Sequence, residues 1–105
     1  MNLTYTLVFD EVILKQLKKA GRNKKTKDIL AKMFDKIELA GPSIGELVDY
    51  QLFIYEMKNK HPPIRLYFKH NKSTNEIYLF EFEMKTSEQK QQKTIQRVRF
   101  KASNP

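Results

Sequence analysis

Charged and aromatic residues alternate with apolar residues in three segments of the second half of the chain. The segments run from about Leu52 to Lys58, from Ile64 to His70 and from Glu76 to Lys85, and the alternation predicts three β-strands, since side chains two positions apart share a face of a strand. One face would carry these side chains: Ile54, Glu56, Lys58, Arg65, Tyr67, Lys69, Ile77, Leu79, Glu81, Glu83 and Lys85. Because a core cannot hold so many charges, we expect this face, called the second face below, to be open to solvent or to a ligand.

The mixture of groups on the second face suits the cleavage of RNA without a metal ion. A carboxylate can move a proton, an arginine can hold a phosphate with two hydrogen bonds, and an aromatic ring can stack on a base. Such cleavage requires the 2′-hydroxyl to lose a proton, the leaving oxygen to gain one, and positive charge to stabilise the pentavalent phosphate. The alternative is a solvated sheet in which four of these residues form cross-strand ion pairs: Glu56, Lys58, Arg65 and Glu81.

The opposite face of the three strands is apolar and must be covered by other elements. It would carry Phe53, Tyr55, Met57, Ile64, Leu66, Phe68, Tyr78, Phe80, Phe82 and Met84. Upstream, residues 3 to 9 alternate as a first strand, and apolar residues recur at helical spacing from Glu11 to Ala20 and from about Thr26 to Ala40. We expect these two helices to form an antiparallel hairpin on the apolar face, followed by a loop from Pro42 to Tyr50.

The last segment predicts one more helix. Residues 86 to 89, TSEQ, have the form of a capping box and begin a stretch rich in lysine and glutamine, in which Ile95, Val98 and Phe100 are expected to be buried. The element order is then β-α-α-β-β-β-α, an α+β fold with a helical hairpin packed on one face of an antiparallel-rich sheet. With 105 residues and no internal linker, we expect a single domain, residues 1–105.

Composition narrows the kind of protein. The absence of cysteine excludes disulfides and thiolate metal sites, and the spacing of His61 and His70 is not that of zinc ligands, so no metal or other cofactor is expected. No segment approaches the length of a membrane span, and the apolar N-terminal run is too short for a signal peptide, so we expect a cytoplasmic protein without membrane contact.

The net charge of +8 is concentrated in three blocks. Residues 15–36 hold nine of the twenty lysines and arginines, residues 58–72 hold five, and residues 85–101 hold six. This segregation is typical of a protein that meets phosphates or an acidic partner. The alternative is an ordinary solvated surface.

Two stretches, LFIYEMKNKHPPIRLYF and IYLFEFEMKTSEQKQQKTIQRVRFK, resemble toxins of the RelE/ParE superfamily, especially its HigB-like and phage-type branch. The element order resembles theirs too. That branch has a strand of the Leu-x-Glu-Leu-Arg style, matched by Glu56 and Lys58. An arginine before an apolar pair is matched by Arg65, and a Phe-x-Lys-Lys-Thr stretch that opens the last helix is matched by Phe82, Lys85 and Thr86.

The resemblance implies the toxin of a type II toxin–antitoxin system, acting as a ribosome-dependent messenger RNA endonuclease, or mRNA interferase. Its implied partners are the ribosome, messenger RNA and a cognate acidic antitoxin that wraps the basic surface. Glu56 would be the general base, Arg65 would hold the phosphate, and Lys58 and Lys85 would stabilise developing charge. The residues expected to bind RNA are Lys60, His61, Tyr67, Lys69, Arg97 and Arg99.

The sequence also departs from the family pattern. Many RNA-cleaving relatives carry a tyrosine or histidine near the end of the last strand or in the terminal segment, where this chain has Glu83, Met84 and Lys85. The general acid is therefore unassigned, with Lys85, His61 and His70 as candidates. Two alternatives therefore stay open. One is a ParE-like toxin that inhibits a topoisomerase through protein contacts, and the other is a non-catalytic RNA-binding module that uses the lysine-rich hairpin.

Overall fold

The computed structural model describes residues 4–84 and 87–103. Its elements, in chain order, are β1 (Thr6–Phe9), α1 (Glu11–Ala20), α2 (Lys24–Ala40), a 3₁₀ helix (Gly41–Ile44), β2 (Glu46–Asp49), β3 (Ile54–Asn59), β4 (Ile64–Asn71), β5 (Glu76–Met84) and α3 (Glu88–Ser103). Within these residues, three α-helices and a five-stranded mixed sheet confirm the predicted α+β fold. None of the helices in the described ranges is long and apolar enough to cross a membrane.

The sheet has the strand order β1-β5-β4-β3-β2. β1 runs parallel to β5, and the other neighbouring pairs are antiparallel. β2 lies in the segment that was predicted to be a loop, and that prediction was wrong. Its four residues are too few for an alternation to stand out, and its pairing with β3, which sets Leu47 opposite Tyr55, supplies its backbone hydrogen bonds.

Polar side chains define where the two hairpin helices begin. Asp10 Oδ2 accepts a hydrogen bond from Val12 N at 2.9 Å, and Asn23 Oδ1 accepts one from Thr26 N at 3.2 Å, so each helix has an N-cap. Gly41 ends α2 with a φ of 66°, and an added Cβ would collide with the ring of Tyr5. Glycine at this position therefore meets both a conformational and a steric requirement.

The hairpin covers one face of the sheet and encloses the main core. Its buried members are Ile13, Leu30, Met33, Ile37, Met57, Ile64, Leu66, Phe68, Ile77, Leu79 and Phe82. On β3 and β4, Met57 and Leu66 face the hairpin as the alternation predicts, because these strands pair in an unbroken antiparallel register.

A bulge in β5 changes which side chains face the hairpin. Tyr67 lies opposite Glu81 and Phe68 lies opposite Leu79, so Phe80 is an extra residue on β5. Leu79 consequently packs beneath the hairpin and Phe80 on the second face, the reverse of the predicted arrangement. A single inserted residue has this effect because side-chain direction in a strand has a period of two.

α3 lies across the second face, which was predicted to be open. A separate cluster of buried residues joins α3 to the sheet: Ile54, Tyr67, Phe80, Ile95 and Val98. The prediction was wrong because the centre of this face is apolar and α3 presents apolar side chains one turn apart that fit it. Phe100, which was expected to be buried, is 71% exposed.

Candidate functional site

Three of the four residues predicted to take part in RNA cleavage meet on β3 and β4. Strand pairing places Lys58 opposite Arg65 and Glu56 opposite Tyr67. Arg65 Nη1 donates to Glu56 Oε1 at 3.0 Å, and Lys58 Nζ lies 3.5 Å from the same oxygen. The side chain of Glu56 is 4% exposed and has little contact with water. Its negative charge is stabilised by the two cations instead. The fourth residue, Lys85, lies outside the described residues.

Gln91 of α3 closes this site over Glu56. Gln91 Nε2 donates to Glu56 Oε2 at 3.0 Å, while Glu56 Oε1 accepts from Arg65. Both carboxylate oxygens therefore have protein partners. Because Glu56 is 4% exposed beneath Gln91, a substrate hydroxyl cannot come within hydrogen-bond distance of the carboxylate while α3 holds this position, and general-base catalysis requires that contact.

Tyr67, which was predicted to bind RNA by stacking or orienting it, is fully buried. Its hydroxyl donates to Glu83 Oε2 at 2.8 Å, and Thr94 Oγ1 donates to Glu83 Oε1 at 2.7 Å. Burial, followed by the hydrogen bond to Glu83, raises the pKa of Tyr67 well above its usual value of about 10, so the phenol stays protonated. In this arrangement the ring packs against α3 and offers no stacking surface to a base.

Arg97 and Arg99, also predicted to bind RNA, attach α3 to the sheet. Arg97 Nη2 and Nε donate to the two oxygens of Glu81 at 2.7 and 3.2 Å. This hydrogen bonding outweighs burial and raises the pKa of Arg97. Arg99 Nε donates to Asp49 Oδ2 at 2.9 Å, on the edge strand β2. Both arginines remain about half exposed and could add contacts at their outer sides.

The remaining residues predicted to bind RNA lie in two other places. Lys69 Nζ donates to the backbone oxygen of Ala102 at 3.3 Å, near the end of α3. Lys60 and His61 are exposed in the turn between β3 and β4. The predicted RNA-binding residues are therefore spread over a turn, the second face and α3 rather than gathered in one patch.

The carboxylates of the second face are not arranged as metal ligands. Across residues 4–84 and 87–103, no three His, Asp or Glu side chains are grouped so that they could hold a metal ion. Glu56, Glu81 and Glu83 instead accept hydrogen bonds from side chains of α3 and of the sheet, which is how buried carboxylates are normally stabilised.

Sequence reasoning missed Gln91 and Thr94, the α3 residues that contact Glu56 and Glu83. With Val98 and Lys101 they recur every three or four positions, which places them on one side of the helix. The spacing is visible in the sequence. The spacing does not predict burial, because the solvent-facing side of an amphipathic helix also carries polar residues at helical spacing.

No protein-family model and no curated protein matches this sequence. Solved structures do match. The structure of the isolated E. coli RelE toxin superposes with a TM-score of 0.62 at 18% identity, over 90% of this chain and 98% of that one. A chain of the intact E. coli RelBE toxin–antitoxin complex superposes with a TM-score of 0.61 at 19% identity, over 79% of this chain and 99% of the other.

A chain of the RelBE2 toxin–antitoxin complex from Mycobacterium tuberculosis gives a TM-score of 0.64 at 12% identity, over 78% of this chain and 99% of that one. These three structures share the helical hairpin-on-sheet architecture with this chain over nearly their full length. The likeness concerns the path of the backbone, because fewer than one residue in five is identical. The chain therefore has the fold of the RelE toxins.

Proposed function

We propose that this protein is the toxin of a type II toxin–antitoxin system and that it cleaves messenger RNA on the ribosome. The observation that carries the proposal is the contact of Glu56 with Arg65 and Lys58 on the central strands of a RelE-like fold. The sequence motifs around these residues favour the HigB-like and phage-type branch. A toxin that acts on ribosomes would work in the cytoplasm.

The three residues can divide the cleavage chemistry between them. Glu56 would take the proton of the ribose 2′-hydroxyl, whose oxygen then attacks the adjacent phosphorus. Arg65 and Lys58 would stabilise the charge that develops on the phosphate oxygens. The bond from phosphorus to the 5′-oxygen breaks, giving a 2′,3′-cyclic phosphate and a 5′-oxygen that needs a proton. No side chain is assigned to donate that proton, and water can supply it; Lys85, which directly follows β5 in the sequence, would stabilise developing charge together with Lys58.

α3 must move for this chemistry to occur. Glu56 is buried and both its oxygens are engaged, so the described arrangement is a resting state. Movement of the first half of α3 would remove Gln91 and leave Glu56 in contact with Arg65. RNA would then supply the group that replaces Gln91.

We also propose an acidic antitoxin as the partner that keeps the toxin inactive. The net charge of +8 favours an acidic binding partner, and the RelBE structures are toxin–antitoxin complexes by their own description. A small acidic protein encoded next to this gene is the expected antitoxin. Adjacent reading frames without such a protein would count against this partner.

Induced expression in bacteria tests the proposal. We expect growth arrest, together with messenger RNA cuts that map to translating ribosomes. Glu56→Gln and Arg65→Ala should each relieve the arrest and abolish the cuts. Lys93→Met, which removes one charge from the exposed side of α3, is the control and should leave both intact. The unfolding midpoint of every variant shows whether relief comes from lost chemistry or from lost folding.

One observation favours a non-catalytic function instead. Every carboxylate beneath α3 is fully hydrogen bonded, which is what a purely structural network would look like. If Glu56→Gln folds normally and still arrests growth without RNA cuts, catalysis at this site is excluded. Growth arrest by the wild type with stalled replication and continuing translation would indicate a ParE-like toxin, whereas unaffected growth on induction of the wild type would indicate a binding module.

A further inference from the structure

A cavity of about 530 Å³ lies on the second face, away from Glu56. It is bounded by β1, β4, β5 and the last turn of α3. On β4, Lys69 at the cavity and Arg65 at the candidate catalytic site are four residues apart, which is roughly 13 Å along a strand. The volume falls within the range of about 300–1,000 Å³ that is typical of small-molecule sites.

One end of the cavity is cationic. Lys69 Nζ donates to the backbone oxygen of Ala102 at 3.3 Å, and Lys101 Nζ donates to Asp10 Oδ2 at 2.7 Å. Since Lys101 and Ala102 are consecutive, both ammonium groups lie at the α3 end. The carboxylate of Asp10 is also hydrogen bonded by Val12 N, so its charge is well compensated. Lys69 has a neutral carbonyl as its partner and can still pair with an anion.

The floor of the cavity is aromatic. The rings of Tyr78 and Phe80 meet edge to face with centroids 5.1 Å apart. Phe80 is buried, whereas Tyr78 is 36% exposed and is fixed by the hydrogen bond from its hydroxyl to Asp10 Oδ1 at 2.6 Å. A partly exposed aromatic ring held in one orientation is a suitable surface for a planar ligand.

The other end of the cavity carries groups that can recognise a polar ring edge. Asn71 and Glu76 lie opposite each other in the register of β4 and β5. Asn71 Oδ1 accepts a hydrogen bond from Ser73 N at 3.1 Å, which leaves its amide nitrogen to donate. Glu76 Oε1 accepts one from Thr74 Oγ1 at 2.9 Å, which leaves Oε2 to accept. Along its length the cavity therefore offers cationic groups at one end, aromatic rings in the middle and hydrogen-bonding side chains at the other end.

We propose that this cavity binds a nucleotide, with its phosphate at Lys69 and Lys101, its base against Tyr78 and the polar edge of the base at Asn71 and Glu76. The site is independent of the proposed catalytic role, because none of these residues contacts Glu56. The nucleotide has two possible sources: a free mononucleotide, or one nucleotide of an RNA strand that crosses the second face.

Nuclear magnetic resonance of the full chain tests the proposal. The isotope-labelled protein is titrated with each of the four ribonucleoside 5′-monophosphates and with single-stranded RNA trimers. The controls are inorganic phosphate, which carries only the phosphate half of the ligand, and the four nucleosides, which carry only the base and sugar. We expect saturable shifts of the amide signals of residues 69, 71, 78 and 101, and an affinity at least about ten-fold above that of either half.

Two variants with the same change of charge sharpen the test. Lys69→Met removes the ammonium group and keeps most of the side-chain packing, and it should weaken nucleotide binding by about ten-fold or more, as expected for a charged hydrogen bond. Lys93→Met removes a charge from the exposed side of α3 and should leave the affinity unchanged. Equal weakening by both variants would mean non-specific attraction and would overturn the proposal.

The remaining outcomes identify the ligand or exclude it. Saturable binding of a mononucleotide assigns the site to a free ligand, and binding of a trimer at the same residues without mononucleotide binding assigns it to RNA. No saturable shift up to millimolar concentration, or inorganic phosphate binding as tightly as a nucleotide, would overturn the site. These measurements do not depend on toxicity, so they stand or fall separately from the proposed nuclease activity.

Discussion

At the scale of single residues, Glu81 shows how strongly the carboxylates beneath α3 depend on their partners. Its side chain is 5% exposed and receives both of its charged hydrogen bonds from Arg97. Arg97→Met would leave a buried carboxylate without a cation. We therefore expect the free energy of unfolding, measured with urea at neutral pH, to fall by about 2–3 kcal/mol.

A neighbouring arginine provides the matched control. Arg99 pairs with Asp49, whose side chain is 15% exposed compared with 5% for Glu81, so Arg99→Met should cost less than about 1 kcal/mol. A double variant in which both Glu81 and Arg97 are replaced by Met should recover much of the loss, since it buries no unpaired charge. Equal losses of unfolding free energy in Arg97→Met and Arg99→Met would contradict the argument that burial of the paired carboxylate determines the loss.

The contact of Glu56 with Arg65 could be predicted from the sequence, whereas the burial of that contact could not. Alternation places both side chains on one face, and a regular antiparallel register brings them together. Gln91 covers Glu56, and Thr94 covers the neighbouring Glu83; the polar side chains of both α3 residues carry no signal of burial. A buried polar residue becomes recognisable once its partner across the fold is known.

At the scale of elements, Asp10 connects three parts of the fold. It caps α1 and accepts hydrogen bonds from Tyr78 on β5 and from Lys101 on α3. Burial alone would raise the pKa of Asp10, but the hydrogen bonds from Lys101, Tyr78 and Val12 N together outweigh burial and lower it below its usual value of 3.8.

This lowered pKa predicts an acid-dependent stability. A carboxyl whose pKa is lower in the folded state stabilises the fold above its ordinary pKa, and that contribution disappears as the pH falls through the folded value. Asn at position 10 would still cap α1 but could not pair with Lys101. We therefore expect Asp10→Asn to unfold at lower urea concentration at neutral pH, and to lose less stability than the wild type on acidification below about pH 4.

Urea titrations at several pH values measure this difference directly. Some acid dependence should remain in Asp10→Asn, because Asp49 also has a lowered pKa, owing first to the hydrogen bond from Leu52 N. An Asp10→Asn variant whose stability falls as steeply in acid as that of the wild type would show that Asp10 does not hold α3 in place through its charge.

Prediction of helices and strands from the sequence is most accurate where apolar residues keep one spacing over many residues without interruption. The hairpin helices and strands β3 and β4 follow their apolar spacing closely. β2 has four residues, and the bulge at Phe80 reverses the side-chain alternation within β5, so neither could be read from a local pattern. Strand β2 and the bulge both depend on pairing with the neighbouring strand of the sheet, which the sequence of the segment itself does not reveal.

At the scale of the whole molecule, the basic residues form surfaces on both sides of the sheet. The nine lysines and arginines of residues 15–36 are all exposed on the hairpin side, and α3 carries others on the opposite side. Within the described part of the chain, Lys15 is the one hairpin cation in an ion pair, with Glu11. The hairpin is therefore a broad surface of available positive charge, as expected for contact with nucleic acid phosphates.

Three lysines stand where they oppose helix stability. Lys24, Lys25 and Lys27 occupy the first turn of α2, which contains no acidic residue. The helix dipole disfavours positive charge at this end by about 0.3–1 kcal/mol per residue. Replacing all three by Gln should therefore leave the protein at least as stable to heat as the wild type, so any loss of binding cannot come from misfolding.

If the protein acts on ribosomes, as proposed, the same triple Gln variant should bind them more weakly. Each lost phosphate contact lowers the slope of log affinity against log salt by about 0.7–0.9, so we expect co-sedimentation with ribosomes to lose up to about 2–3 units of slope. A double variant with Lys90→Gln and Lys93→Gln removes charge from α3 and should change the slope less. Ribosome binding that weakens equally in both variants would contradict docking through the hairpin.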